Sequence, residues 1–505
     1  MSLASFRSAL HVLLRVLLGV GVLVFVLLLG RAFQARGQPP LKPWHTLQLR
    51  GEVTAGQIGP GYTWARYAQA EAALFADLGR TLAAHPTPGP YRYEAQSHLG
   101  ARPGARDWNR SYVSSPAQIR GGVLLLHGLS DSPYSLRHLA ARYEQAGFVV
   151  IAPRLPGHGT LPSGLLEVRW QDWSAVVEVA ARELRQRIGP GKPLHVVGYS
   201  NGAALALQYA MDVAARDDGQ LPRVDRLILL SPMIGVSRGA ALAGLLPVFG
   251  RIPYFAQSRW LDNLPEFNPF KYNSFTFNAA AQSYALTTHV QAQVLRLRAH
   301  DRLRRLPPIL AFQSVLDNTV DTDSVVHALF DHLPANGSEL VLFDINRANL
   351  LAPLLTPAAT GAADTLRGDA PRAYRLTLVS NARPDTLQVN ERSYAPGQLH
   401  PREQPLPLAF PASVYSLSHV ALPFPMDDAL YGLTPRMDED FGIRLGTATL
   451  HGERGALVVK AEQLQRLNCN PFFPYLIGRI AQTLPADTAD TADTGDTGDT
   501  ATTLR

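Results

Sequence analysis

From residue 121 onward, short Leu- and Val-rich runs alternate with amphipathic stretches, and this alternation constrains the fold more than any other feature of the chain. The runs fall at 123–126, 148–152, 194–197, 227–230, 309–312 and 340–343. Helical spacing appears at 135–145, 170–188, 203–215 and 324–333. Strands without a polar face are buried on both sides, and strand–helix repetition builds a mostly parallel sheet covered by helices on both faces. The chain has 505 residues, 46% of them apolar and 17% charged, which suits one large core with insertions and excludes wholesale disorder.

Several function classes drop out early. A single cysteine, Cys469, excludes an intramolecular disulfide framework and any multi-cysteine zinc or iron–sulfur site. The net charge of +6 is a thin excess of 47 cations over 41 anions, mostly unclustered, so nucleic-acid binding is not expected. No H-E-x-x-H, P-loop or strand-linked G-x-G-x-x-G occurs, which argues against metal, nucleotide and dinucleotide chemistry; neither cofactor nor metal is expected.

The N-terminus reads as a membrane segment. Residues 16–30 are uncharged and apolar, about 22 Å as a helix, and counting from residue 9 gives 22 residues with His11 and Arg15 as interruptions. A cleaved signal peptide competes, because Arg7 precedes the apolar run, but residues 31–35 lack a clean small-x-small site. The expectation is an uncleaved single-pass anchor at 1–36 with the body on the extracytoplasmic side. A linker and helical extension follow at 37–115, with a helix over 63–82. The core then runs over 116–234, 301–345 and 412–484. It is interrupted by a cap at 235–300 and by a Pro-, Ala- and Thr-rich insertion at 346–411 that holds one strand-like piece at 374–379. The tail, 485–505, is low-complexity and expected to be disordered.

Chemistry concentrates at Gly198-Tyr199-Ser200-Asn201-Gly202. A G-x-S-x-G pattern alone is weak, but here a buried strand ends just before it and a helix begins just after. A strand–serine–helix turn is tight and strained, so its flanks must be glycine or very small, and it exposes the serine hydroxyl at a helix N-terminus. A nucleophilic serine needs oxyanion donors. The strand ending in His127-Gly128-Leu129 offers the Leu129 N–H, and Asn201 offers a second N–H directly after Ser200. His127 itself reads as a structural loop residue. The serine also needs a base oriented by a carboxylate. Asp317 lies beyond the 309–312 run, with Asp321 and Asp323 as rivals. His419 follows the last core strand, with His332, His400 and His451 as competitors. The chain order Ser200, Asp317, His419 suits this topology.

With LLLHGLSDSPYSLRHLA, AGFVVIAPRLPGHGTLP, Gln171-Asp172-Trp173 and GYSNG in place, the chain resembles the α/β-hydrolases of the bacterial carboxylesterase and monoacylglycerol lipase type over residues 115–345 and 410–480. The resemblance implies an α/β-hydrolase fold with a cap and serine hydrolase chemistry on carboxylic esters, lipidic or acylglycerol-like. The same triad would serve a thioesterase or a terminal peptidase, and a silent hydrolase fold could act as a membrane-tethered binding protein. Three departures stand out. Asp317 and His419 are 102 residues apart, so 346–411 is expected to loop out; Asn201 stands where an apolar residue or Gln is common; and the first 110 residues have no counterpart in small esterases.

Two further clusters have open readings. Nine aromatics crowd the cap between Phe249 and Phe277 and either line an acyl pocket or bury the cap. Arg296, Arg298, Arg302, Arg304 and Arg305 read as a solvated helix face, with anionic lipid headgroups as the alternative partner.

Overall fold

The computed structural model describes residues 3–99, 107, 109–216, 218–235, 252–317, 319–349, 351–447, 461–466 and 468–485. Phe249, His451 and the tail beyond 485 lie outside these residues. In chain order, α1 (Leu3–Ala35), α2 (Pro43–Thr46) and α3 (Trp64–Ala84) precede β1 (Tyr112–Ser114), β2 (Gly121–Leu126), α4 (Arg137–Gln145), β3 (Phe148–Ala152) and α5 (Trp170–Ile188). Next come β4 (Leu194–Tyr199), α6 (Asn201–Arg216) and β5 (Arg226–Leu230), then the cap with β6 (Trp260–Asp262), β7 (Phe275–Thr276) and α7 (Phe277–Ala299). The second half holds β8 (Ile309–Ser314), α8 (Thr322–His327), β9 (Glu339–Phe343), α9 (Pro357–Arg367), β10 (Arg375–Asn381), β11 (Gln388–Tyr394) and β12 (Arg402–Ala409), with α10 (Ala461–Gln465) and α11 (Phe473–Ala481) last.

One ten-stranded sheet carries the molecule, in the order β1-β3-β2-β4-β5-β8-β9-β10-β11-β12. From β3 to β10 all neighbours are parallel; β1, β11 and β12 run antiparallel at the two ends. The pleat divides each central strand between two cores. On β2, Leu124 and Leu126 enter one cluster with Val176 and Leu205, while Val123 and Leu125 enter the other with Leu139 and Leu476. Every residue of β2, β3, β4, β8 and β9 is buried, as expected for a parallel sheet covered twice.

The stretch 346–411 departs from expectation. It does not loop out: α9 packs on the sheet, and β10, β11 and β12 extend the sheet by three strands. Its ends nevertheless meet. Asn346 N–H donates to Tyr415 O (2.8 Å) and its side-chain amide donates to Val414 O (2.9 Å), returning the chain to the tip of β9. The expected helix over 324–333 also breaks, into α8 and a short 3-10 turn at Phe330–His332.

The N-terminal extension is part of the core. Trp64 and Tyr67 of α3 join the main cluster, and Ala55 N–H donates to Asp172 (2.7 Å). Most of α1 is different: an 18-residue stretch within Leu10–Ala35 reaches a mean hydropathy of 3.0, and the central part of the helix is exposed.

Another buried cluster joins the cap to residues 424–445 through Tyr134, stacked on Phe270 at 3.7 Å, and beneath it Asp428 holds α4. Asp428 binds the buried Arg137 and lies 2.7 Å from His138 Nε2. Burial alone would raise its carboxyl, but the Arg137 charge and the His138 and Tyr431 hydrogen bonds hold it down at about 2. A carboxyl lowered on folding stabilises the fold above its unfolded pKa near 4, and that contribution disappears as pH falls towards 2. Asp428→Asn should therefore cost about 3 kcal/mol at neutral pH by stranding Arg137. In denaturant titrations its deficit should shrink between pH 4 and pH 2; a constant deficit would contradict this account.

Candidate active site

The serine sits where the sequence requires a strained turn. Ser200 has φ of 55° and lies between the end of β4 and the start of α6. The two glycines are forced by contact: a Cβ on Gly202 would lie 2.0 Å from Leu126 O, and one on Gly198 would lie 2.4 Å from Ala203 Cα. Ser200 N–H donates to Leu230 O (2.9 Å), and Ser200 O accepts from Met233 N–H (3.2 Å), so neighbouring backbone fixes the tip of the turn.

Three side chains converge there. His419 Nε2 is 2.8 Å from Ser200 Oγ, and His419 Nδ1 is 2.8 Å from Asp317 Oδ2. All three residues are buried. The second carboxylate oxygen of Asp317 accepts from the Thr319 and Val320 N–H groups (2.8 and 3.0 Å). Burial would raise this carboxyl, yet the His419 ring and these hydrogen bonds hold it below its ordinary value. An ionised carboxylate only accepts, so Nδ1 of His419 carries the proton and Nε2 is left to accept from the serine hydroxyl. The Tyr199 ring stacks on the imidazole (5.6 Å between centroids), and Ser314 Oγ donates to Leu417 O (2.9 Å), tying the histidine loop to the strand from which Asp317 hangs.

Residues 123–363, just under half of the chain, match the model of the alpha/beta hydrolase family. This segment has the alpha/beta hydrolase fold. A thermostable monoacylglycerol lipase of Bacillus sp. (strain H-257) is 42% identical over 89 residues, covering 18% of this chain and 34% of that protein. A magnesium-chelatase 30 kDa subunit of Rhodobacter capsulatus is 36% identical over 138 residues, covering 25% and 41%. The chain thus spans well under two thirds of either relative. Among solved structures, one described under the metagenome-derived lipolytic enzymes LipS and LipT matches with a TM-score of 0.37 and 21% identity, covering 52% of this chain and 98% of that one. A monoacylglycerol lipase of Paleococcus ferrophilus matches with a TM-score of 0.34 and 19% identity, covering 46% and 88%.

In this fold the remaining sequence candidates fall away from the serine. Asp321 and Asp323 are exposed, and Asp321 accepts from Ser324 Oγ. His400 is exposed, and His332 lies against Arg298. His127 accepts from Leu155 N–H through Nε2 (3.0 Å), and burial holds its pKa far below the usual histidine range, so it is a neutral brace for the Pro156–Gly159 loop. For the oxyanion, Leu129 lines the same cavity as Ser200. Asn201 opens α6, where backbone N–H groups have no helical acceptor. The Asn201 side-chain amide is fully buried and finds no hydrogen-bond partner among the described residues.

A cavity of about 290 Å³ opens over Ser200 and His419. Of the cap aromatics, Phe267, Tyr272 and Phe275 line it; Trp260, Phe270 and Phe277 are buried, and Tyr254 and Phe255 pack against Phe33 of α1. Both readings of that aromatic stretch therefore apply, to different rings. Two charged residues of the cavity wall had no place in the sequence-based site: Lys271 and Arg466. The lone lysine among cap aromatics, one of four in the chain, was the available signal. The five arginines from 296 to 305 are exposed around the end of α7, away from the cavity.

Proposed function

We propose that the chain hydrolyses carboxylic esters, lipidic or acylglycerol-like, through an acyl-enzyme on Ser200. The observation carrying this reading is the continuous hydrogen-bonded line from Ser200 Oγ through His419 to Asp317, with both contacts at 2.8 Å. Ser200 Oγ attacks the ester carbonyl carbon as its proton passes to His419 Nε2. The Leu129 and Asn201 N–H groups hold the oxyanion. Collapse breaks the bond to the alkoxide, which leaves with the proton from Nε2. Water then repeats the sequence on the acyl-serine and releases the carboxylic acid. Asp317 orients the ring and stabilises the imidazolium formed in each step.

The lipase relative and the exposed α1 together favour an apolar ester at a membrane. We read α1 as a single-pass anchor with the body on the extracytoplasmic side. Its end is fastened to the cap: Arg36 stacks over Tyr254 at 3.8 Å, Gln38 donates to Leu261 O (3.0 Å), and His45 meets Ser274 Oγ at 2.9 Å. An anchor held in this way sets the cap beside the bilayer surface.

The test is reaction of the full chain in detergent micelles with a fluorophosphonate probe, followed by peptide mass mapping. Labelling at Ser200, absent in Ser200→Ala, is the expected result. Folded protein that stays unlabelled would leave a non-catalytic binding role as the better account.

A further inference from the structure

The wall of the cavity has an unbalanced charge. Lys271 and Arg466 both line it, and none of its described lining residues is Asp or Glu. Lys271 is half-buried, and its side chain makes no hydrogen bond or ion pair to protein among the described residues. The carboxylate acting on it is Asp131, which is buried, does not line the cavity, and accepts from Ser132 N–H (2.9 Å). Burial pushes the Lys271 ammonium below its ordinary pKa, and Arg466 adds to that shift, so the two cations sense each other.

The lysine is also held firmly. Lys271 N–H donates to Asn268 Oδ1 (3.1 Å), Asn268 Nδ2 donates to Tyr431 OH (2.7 Å), and Tyr272 N–H donates to Ser130 O (2.8 Å) on the loop that follows Leu129. Arg466 is fastened to Thr319, two residues beyond Asp317. A rigid turn that holds a partly dehydrated ammonium beside a second cation, with Asp131 as the carboxylate that offsets them, gains from an added anion in the cavity. The rest of the lining is mixed: Leu264, Phe267 and Phe275 suit an apolar chain, so the two cations sit at one polar end of an otherwise largely apolar cavity.

We propose that Lys271 and Arg466 form an anion-recognition subsite beside Ser200, selecting esters whose acyl part or leaving group carries a carboxylate or phosphate. This rests on the ester hydrolase reading and names its substrate class: amphiphilic, with one anionic end at the cations and the reacting carbonyl at Ser200. The two cations are specificity-determining residues and take no part in proton transfer.

Matched substrates test it with the full chain in micelles. On the acyl side, para-nitrophenyl hemisuccinate is compared with para-nitrophenyl butyrate; on the leaving-group side, para-acetoxybenzoate is compared with phenyl acetate. In one of the two pairs the anionic ester should have the higher kcat/KM by about tenfold. Lys271→Met and Arg466→Gln should each remove most of that preference through KM, and Lys271→Arg should retain it. The neutral esters and fluorophosphonate labelling of Ser200 should be unchanged, which shows that the site is intact. Neutral esters preferred in both pairs, or a preference that survives both substitutions, would overturn the subsite. A second measurement stands apart from turnover and is made on both pairs: in one of them Ser200→Ala protein should bind the anionic ester about tenfold more tightly than its neutral counterpart. Equal binding in both pairs overturns the subsite even if Ser200 is labelled, whereas unequal binding without labelling overturns only the hydrolase reading.

Discussion

Asp317→Asn is expected to lower kcat for a para-nitrophenyl ester by about 10⁴ while KM changes less than about threefold. The direction follows from which oxygens are occupied. Asp317 Oδ1 accepts from two backbone N–H groups, Thr319 and Val320, and Oδ2 faces His419 Nδ1. An asparagine must present its single oxygen to the two backbone donors, since turning the amide would bring N–H against N–H. Its NH₂ group then points at Nδ1, which must become the acceptor. The proton moves to Nε2, and the imidazole can no longer take one from Ser200. The fold should tolerate the change, because the backbone bonds survive and the shape is conserved. Ser200→Ala should cost more, about 10⁶, by removing the nucleophile itself. Rate measurements on the two variants, with circular dichroism as a control on folding, decide the matter: an Asp317→Asn enzyme within tenfold of the parent would remove Asp317 from its assigned role.

How much of this was legible depends on how strongly physics restricts each residue. The central strands were readable because a parallel strand covered on both faces has to be apolar throughout, as in Val123 to Leu126. The elbow was readable because no side chain fits at Gly198 or Gly202. The end of the sheet was not. β11 reads QVNERSY and β12 reads REQPLPLA, and both are largely half-buried or exposed. Antiparallel strands at an edge have one wet face, and an edge strand tolerates Pro405 and Pro407, so neither segment produced an apolar run. Without those strands 346–411 reads as a loop, although what lies between β9 and His419 is three strands and a helix. Lys271 was hidden differently: a single cation has no periodicity, and only the fold brings it to Ser200.

The same buried-charge reasoning makes the N-terminal extension indispensable. Arg154 is fully buried just before the Pro156–Gly159 loop, yet its charge is met by residues far upstream. Nη1 and Nη2 bind the two oxygens of Glu52 (3.0 and 2.8 Å), Nε binds Glu71 of α3 (3.1 Å), and Nη1 also donates to His158 O (2.9 Å). Glu71 in turn accepts from Ser111 at the start of the core. Breaking such a cluster from one side leaves a charge uncompensated in the interior, at about 3–5 kcal/mol. Arg154→Met should therefore lower the thermal midpoint by at least ~5 °C. A triple variant that also carries Glu52→Gln and Glu71→Gln should recover part of the loss, because it removes the stranded carboxylates along with their partner. If Arg154→Met melts with the parent, the cluster is not what ties residues 52–84 to the sheet. If the triple variant melts lower than the single one, hydrogen bonds to the carboxylates outweigh their desolvation, and the extension is held by Glu52 and Glu71 independently of the arginine.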